Sequence, residues 1–382
     1  MPSRLSTFHW QRACVFVIAA ALSACGGGTP GGSGSGPGGN VDTKIRVAPN
    51  LTDQWTLVPA ADVGMDASIL AGAVSIVPAE SLHGLSSMLV LRHGKPVLEQ
   101  YWHGYDKDTL HNLRSVTKSI TSLMMGVAID KRYIGSVNET LSSHLGTLYP
   151  NAPAFRLGVT LQDMLTMRSG LACNDWDGTS PGNENTMYQH DDWMTFYTNL
   201  EALYLPGRIT RYCTGNPVAL GRVIAEASKM PIPAFANEYL FGPLNITSAK
   251  WADYDKHSQT DTGGHILMRP RDMAKLGQLA LQKGAWNGRQ LVSESWIEES
   301  TRRHTQFSSQ NRDGYGYLWW KSVEHANGAS YDTYYANGSG GQYIVVVPAL
   351  DLVAVFTGEN YGNDAQTLPF MILDTYILAS IR

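Results

Sequence analysis

Strand signals stand at the two ends of the main domain and helical ones fill the middle. That order restricts the fold more than any single residue does. Residues 88–102 read as a hairpin turning at His93–Lys95. Late in the chain Gly316–Trp320 is expected as a strand, and Tyr343–Pro348 and Leu352–Phe356 as a hairpin over Ala349–Asp351. Between these, roughly 138–305, the pattern is helical and loopy. Leu161–Thr166, Val218–Ser228, Ile232–Leu240 and Pro270–Lys283 are each bounded by Gly or Pro. A last apolar helix is expected from about Thr367 to Ile381. One antiparallel sheet drawn from both termini and flanked by helices, with an inserted mainly helical lobe, accounts for the order. That is an α+β fold, and ligand sites favour such lobe boundaries.

Residues 1–24 carry a different signal. Arg4 and Arg12 precede a short apolar run, Ala13–Leu22, too short to span a bilayer. Leu22-Ser23-Ala24-Cys25 resembles the lipobox of bacterial lipoproteins, which implies cleavage before Cys25 and its acylation. Residues 25–44 then read as a Gly/Ser/Pro tether. The expected organisation is a lipoprotein signal peptide at 1–24, the tether at 25–44 and one catalytic domain at 45–382. The expected location is the cell envelope, periplasm-facing, held at the membrane by lipid. Removing Arg4 and Arg12 takes the formal charge from −4 to −6. No basic cluster points to a nucleic-acid partner. With Cys14 lost and Cys25 acylated, Cys173 and Cys213 remain as an even pair in an oxidising compartment. A disulfide between them is expected; two separate buried thiols are the alternative. No metal-ligand spacing is visible among the histidines and cysteines, and neither a metal nor a cofactor is expected.

Ser115-Val116-Thr117-Lys118 opens an apolar run of helical spacing through Ile120, Leu123, Met124 and Val127. Residues i and i+3 share a helix face, so the lysine amine can approach the serine hydroxyl. A serine needs such a partner before it can attack a carbonyl. The helix N-terminus adds N–H groups where an oxyanion would form. The alternative is an N-cap serine followed by a surface lysine. Gly178-Thr179-Ser180-Pro181-Gly182 matches a nucleophile elbow in letters only. The residue after that nucleophile must donate its N–H, and proline has none.

In this order of elements the chain resembles the serine β-lactamases and penicillin-binding proteins, a β-lactamase/transpeptidase-like fold. It is closest in pattern to the class C branch with its carboxypeptidases, esterases and aminohexanoate-dimer hydrolases. Thr160–Leu171, Pro206-Gly207 with Tyr212-Cys213-Thr214 and Leu220-Gly221, and Gly338-Ser339-Gly340-Gly341-Gln342 follow the family's segments in order. The resemblance covers about residues 80–382. It implies that Ser115 forms an acyl-enzyme, with Lys118 and Tyr212 as proton-transfer partners. It places the oxyanion hole at the N–H groups of Ser115 and Gly341. Thr214 stands where the family has Asn, and Gly338 where it has Lys or His. Without that cation, recognition of a substrate carboxylate is expected to weaken, favouring esters and small amides over β-lactams. Substrate contacts are expected from Thr214, Gly338, Ser339 and Gly340, from Trp176 in the loop Asn174-Asp175-Trp176-Asp177, and from Trp319 in the aromatic run Trp319-Trp320. A β-lactamase or D-Ala-D-Ala carboxypeptidase, and a non-catalytic envelope-binding lipoprotein, are the alternatives to an ester or small-amide hydrolase with a small-molecule substrate.

Overall fold

The first and last strands of the domain lie side by side. The computed structural model describes residues 56–78, 82, 84–252, 254–307 and 313–382. The expected signal segment, Cys25 and the tether lie outside the described residues. Strands β1 (Leu85–Arg92), β2 (Lys95–Tyr101), β3 (Gly314–Tyr315), β4 (Trp320–Ala326), β5 (Ala329–Gly338), β6 (Gln342–Val347) and β7 (Leu352–Gly358) form one antiparallel sheet in the order β2-β1-β7-β6-β5-β4-β3. Every residue of β1, β6 and β7 is buried. An unbroken apolar run does not alternate because both faces of such a strand are covered. The polar residues in this centre are paired: Ser86 and Ser87 Oγ lie 2.9 and 2.5 Å from Thr357 Oγ1.

Helices cover the sheet. Helix α1 (Ala67–Ser75) packs on the C-terminal helical segment Leu373–Leu378, and that segment on β4. Between β2 and β3 run α2 (Val116–Asp130), α3 (Gly215–Ser228), α4 (Pro270–Leu281) and shorter helices. Helix α4 lies on β6 and β7. Gly277 permits that approach: a Cβ there would stand 2.6 Å from Val353 Cγ1 and 2.8 Å from Ile344 Cγ2. Helix α2 packs against α3 and β5 and is buried from Val116 to Ala128. Its hydroxyls bind neighbouring segments: Thr121 Oγ1 donates to Thr262 O and Ser119 Oγ to Leu318 O, both at 2.7 Å.

One expected strand is corrected. Gly316–Trp319 is the connection between β3 and β4, and only Trp320 begins a strand. Leu318 has φ +61, which no strand residue adopts. The backbone groups here are committed elsewhere: Tyr317 N–H donates to Ser300 O at 2.8 Å and Leu318 N–H to Leu165 O at 3.0 Å. The last helix starts where expected, ends three residues early at Leu378 and changes pitch, α-helical over Leu368–Ile372 and π-helical over Leu373–Leu378.

Candidate active site

Ser115 occupies the N-cap position of α2, and its side chain does not cap the helix. Its Oγ instead accepts a hydrogen bond from Lys118 Nζ at 3.0 Å. The alternative of a capping serine with a surface lysine therefore does not apply. Lys118 is 1% exposed. Its ammonium donates to Ser115 Oγ, to Thr214 Oγ1 at 2.9 Å and to Gly263 O at 2.7 Å. An ammonium has three N–H groups, so all three are used.

Tyr212 completes the cluster. Lys118 Nζ stands 4.9 Å from its ring centroid, and the Ser115 side chain is near enough to act on its phenol. Burial pushes the Tyr212 phenol above its ordinary pKa, while the Lys118 charge and the Ser115 hydroxyl pull the other way and do not prevail. For Lys118, burial acts against the charge, but Tyr212, Glu184, Asp175 and Asp261 outweigh it and the pKa is raised. The resting site therefore holds an ammonium and a neutral phenol.

A disulfide joins Cys173 to Cys213, Cα atoms 5.4 Å apart. It ties the 174–184 loop to the residue after Tyr212, and Asp175 N–H donates to Tyr212 O at 2.7 Å. The loop delivers two acids behind Lys118. Asp175 Oδ2 accepts from Thr214 N at 2.7 Å and lies 2.8 Å from Thr214 Oγ1; Glu184 Oε2 lies 3.0 Å from that same hydroxyl. Burial, then Glu184, pushes the Asp175 carboxyl up to about 7. Asp175 belongs to the loop expected at the cleft, whereas nothing in the sequence points to Glu184.

Thr214 is fully buried, with its hydroxyl spent between Lys118 and these acids rather than open to the cleft. Trp176 does reach the site. It is half exposed, and its ring stacks on Tyr212 at 5.2 Å with 4° between planes. Phe307 lies 4.7 Å from Trp176. Trp319 does not reach it: the ring is buried in the core, edge-on to Tyr334. Its neighbour Trp320 stacks beside Tyr212 at 6.0 Å. Ser180 is buried in a turn, Oγ 3.4 Å from Ala172 O.

Beside Leu113 and Arg114, just ahead of the nucleophile, runs the turn from β5 into β6. Ser339 is exposed at its apex, and Gly338, Gly340 and Gly341 are buried. Among the described residues, no acceptor takes the N–H of Ser115 or of Gly341. Gly338 has no room for a side chain, since a Cβ would stand 2.2 Å from Leu113 O.

A sheet drawn from both chain ends, with an S-x-x-K helix buried beneath it, defines the β-lactamase/transpeptidase fold. The Beta-lactamase family model matches residues 78–374, and the chain belongs to that family. A 6-aminohexanoate-dimer hydrolase of Paenarthrobacter ureafaciens is 25% identical over 229 residues, 56% of each chain, so the match spans just over half of that relative. A solved Bacillus anthracis protein described as a candidate 6-aminohexanoate-dimer hydrolase superposes with a TM-score of 0.69 at 19% identity, covering 86% of this chain and 88% of that one. The solved hydrolase EstCE1, described as having promiscuous acyltransferase activity, superposes at 0.63 with 15% identity, over 80% and 97%.

Proposed function

We propose that this protein is a serine hydrolase that cleaves an ester or small amide through an acyl-enzyme on Ser115. The observation that carries the reading is the Ser115 hydroxyl, free of any capping role and held between Lys118 and Tyr212. With all three of its N–H groups donated, Lys118 acts as a fixed charge and not as the base. Tyr212 serves as the base in the fraction of molecules in which it is ionised: the phenolate, facing the Lys118 ammonium, takes the Ser115 proton as the oxygen attacks. The phenol hands that proton to the leaving group, and the cycle repeats with water. The N–H groups of Ser115 and Gly341 serve the oxyanion. The names of the relatives, a 6-aminohexanoate-dimer hydrolase and a hydrolase with promiscuous acyltransferase activity, agree with this class.

The test is labelling with a fluorophosphonate probe, followed by a panel of p-nitrophenyl esters, aminohexanoate oligomers, nitrocefin and D-Ala-D-Ala peptides. Label on Ser115 and hydrolysis abolished by Ser115→Ala support the reading. Label on Ser180, or label surviving Ser115→Ala, sinks it. We also infer lipid anchoring at Cys25, supported by the lipobox resemblance alone. Cys25→Ala should move the protein from the membrane to the soluble fraction, and an unchanged distribution refutes the anchor.

A further inference from the structure

We propose that Arg114 is a specificity-determining residue that binds a carboxylate of the substrate beside the Gly338–Gly341 turn. This rests on the hydrolase reading and adds the class of substrate. Arg114 immediately precedes the nucleophile. Its φ of +49 is rare for a residue with a side chain, and Asn112 Oδ1 holds that turn by accepting from Arg114 N at 3.0 Å. Its Cβ stands 3.2 Å from where a Cβ on Gly338 would be. Its guanidinium lies 5.0 Å over the Tyr361 ring. That same ring covers Gly340, 2.5 Å from a Cβ placed there. The cation therefore lies against the glycine turn.

Its surroundings leave its charge unanswered. Arg114 Nη1 contacts His265 Nε2 at 2.9 Å, and His265 Nδ1 contacts Asp261 Oδ2 at 2.8 Å. A guanidinium can only donate. His265 Nε2 is then the acceptor, the Nδ1 proton goes to Asp261, and the imidazole between them is neutral. Asp261 reaches Arg114 only through that ring, and among the described residues no carboxylate pairs with Arg114 directly. Its Nε is buried with no acceptor and is out of reach of a ligand, so an anion would have to meet the Nη groups of this half-buried side chain. Charges withdrawn from water are ordinarily paired, and a guanidinium matches a carboxylate better than any other common anion except phosphate. The ring beneath it and the imidazole beside it hold the fork in place before substrate arrives. Gly338 offers no cation and cannot accept a side chain, so Arg114 fills from the α2 side the role that the strand leaves open. Carboxylate recognition would then not depend on a cation at Gly338.

The experiment compares three esters: phenyl hexanoate, 3-carboxyphenyl hexanoate with the charge on the leaving group, and monophenyl adipate with the charge on the acyl group. Wild type, Arg114→Met and Arg114→Lys are assayed for kcat/KM. Arg114→Met should lower one charged ester about ten- to hundredfold more than the neutral ester, the size of a lost charge-assisted hydrogen bond. Arg114→Lys should restore part of the difference, and the ester affected tells which side of the scissile bond the carboxylate occupies. An equal fall for all three esters, or an unchanged ratio, overturns the proposal. Calorimetry on Ser115→Ala, with and without Arg114→Met, reads carboxylate binding without turnover. Hydrolysis of no ester would count against the hydrolase reading. Absence of Arg114-dependent binding of either charged ester would count against this one.

Discussion

Trp176 lies flat on Tyr212, their ring planes 4° apart. The indole keeps water from one face of the phenol, and burial is what raises its pKa most. If the phenolate is the base, kcat/KM must rise with pH, since the ionised form is scarce below the ordinary tyrosine value near about 10. Trp176→Ala admits water, lowers the Tyr212 pKa and should shift that rise to lower pH. A pH–rate profile of both proteins checks it; coincident limbs would show that Tyr212 is not the titrating base.

Lys118→Met removes the ammonium from a full set of acceptors. Thr214 Oγ1 and Gly263 O are left buried with no donor, and the phenolate loses its neighbouring charge. Turnover of the best ester should fall by about a thousandfold or more, whereas Ser180→Ala should leave it within about twofold. Melting curves separate loss of chemistry from loss of fold.

Asp175 makes stability depend on pH. Its folded pKa of about 7 stands above the ordinary 3.8, so between those values the native state holds a proton that the unfolded chain has released. The stability associated with it is complete below about pH 4 and is lost as pH rises through 7, with a slope of at most about 1.4 kcal/mol per pH unit. Asp175→Asn should flatten that slope between about pH 4 and 7 in urea titrations. It should also lower stability throughout, because its NH2 must face one of the N–H donors of Glu184 or Thr214. An equally steep slope in the variant would assign the effect to another group.

Reducing Cys173–Cys213 reopens a long loop and should cost about 2–4 kcal/mol. Activity should fall at temperatures where the reduced protein is still folded, because the bond positions both Tyr212 and the loop carrying Asp175. Intact activity in a reduced, folded sample would separate the bond from the site.

Gly338→Ala places a methyl group against Leu113 O, 2.2 Å away by geometry. Overpacking of this kind costs about 1–3 kcal/mol. A melting temperature equal to wild type would show that the turn can move.

Much of the site was legible because its chemistry is local in sequence. Ser115 and Lys118 share one helical turn, and Tyr212-Cys213-Thr214 are consecutive. Asp175 was legible only as part of a loop at the cleft and Glu184 not at all, because no periodicity joins them; a loop clamped by a disulfide does. Arg114 and His265 are 151 positions apart, and only folding brings them together. In the sheet, Trp320–Ala326 alternates buried and partly exposed residues, and Asn327-Gly328, both at positive φ, is a strong two-residue hairpin turn. Those signals stand in the sequence directly after the aromatic run at Gly316–Trp320, which reads as the strand instead. That run has strand propensity, yet its backbone bonds go to Leu165 and Ser300. Thr214 and Trp319 were assigned to the cleft by position in a motif, and burial decides otherwise for both.

The pairing of β1 with β7 has a consequence for biosynthesis. During synthesis β1 emerges more than 250 residues before β7, so that edge of β1 stays open until β7 has been made. The glycine turn is made more than 220 residues after Ser115. A chain stopped short of that turn carries Ser115, Lys118 and Tyr212 without the backbone beside them, and hydrolytic activity in a cell would report only on molecules translated past it.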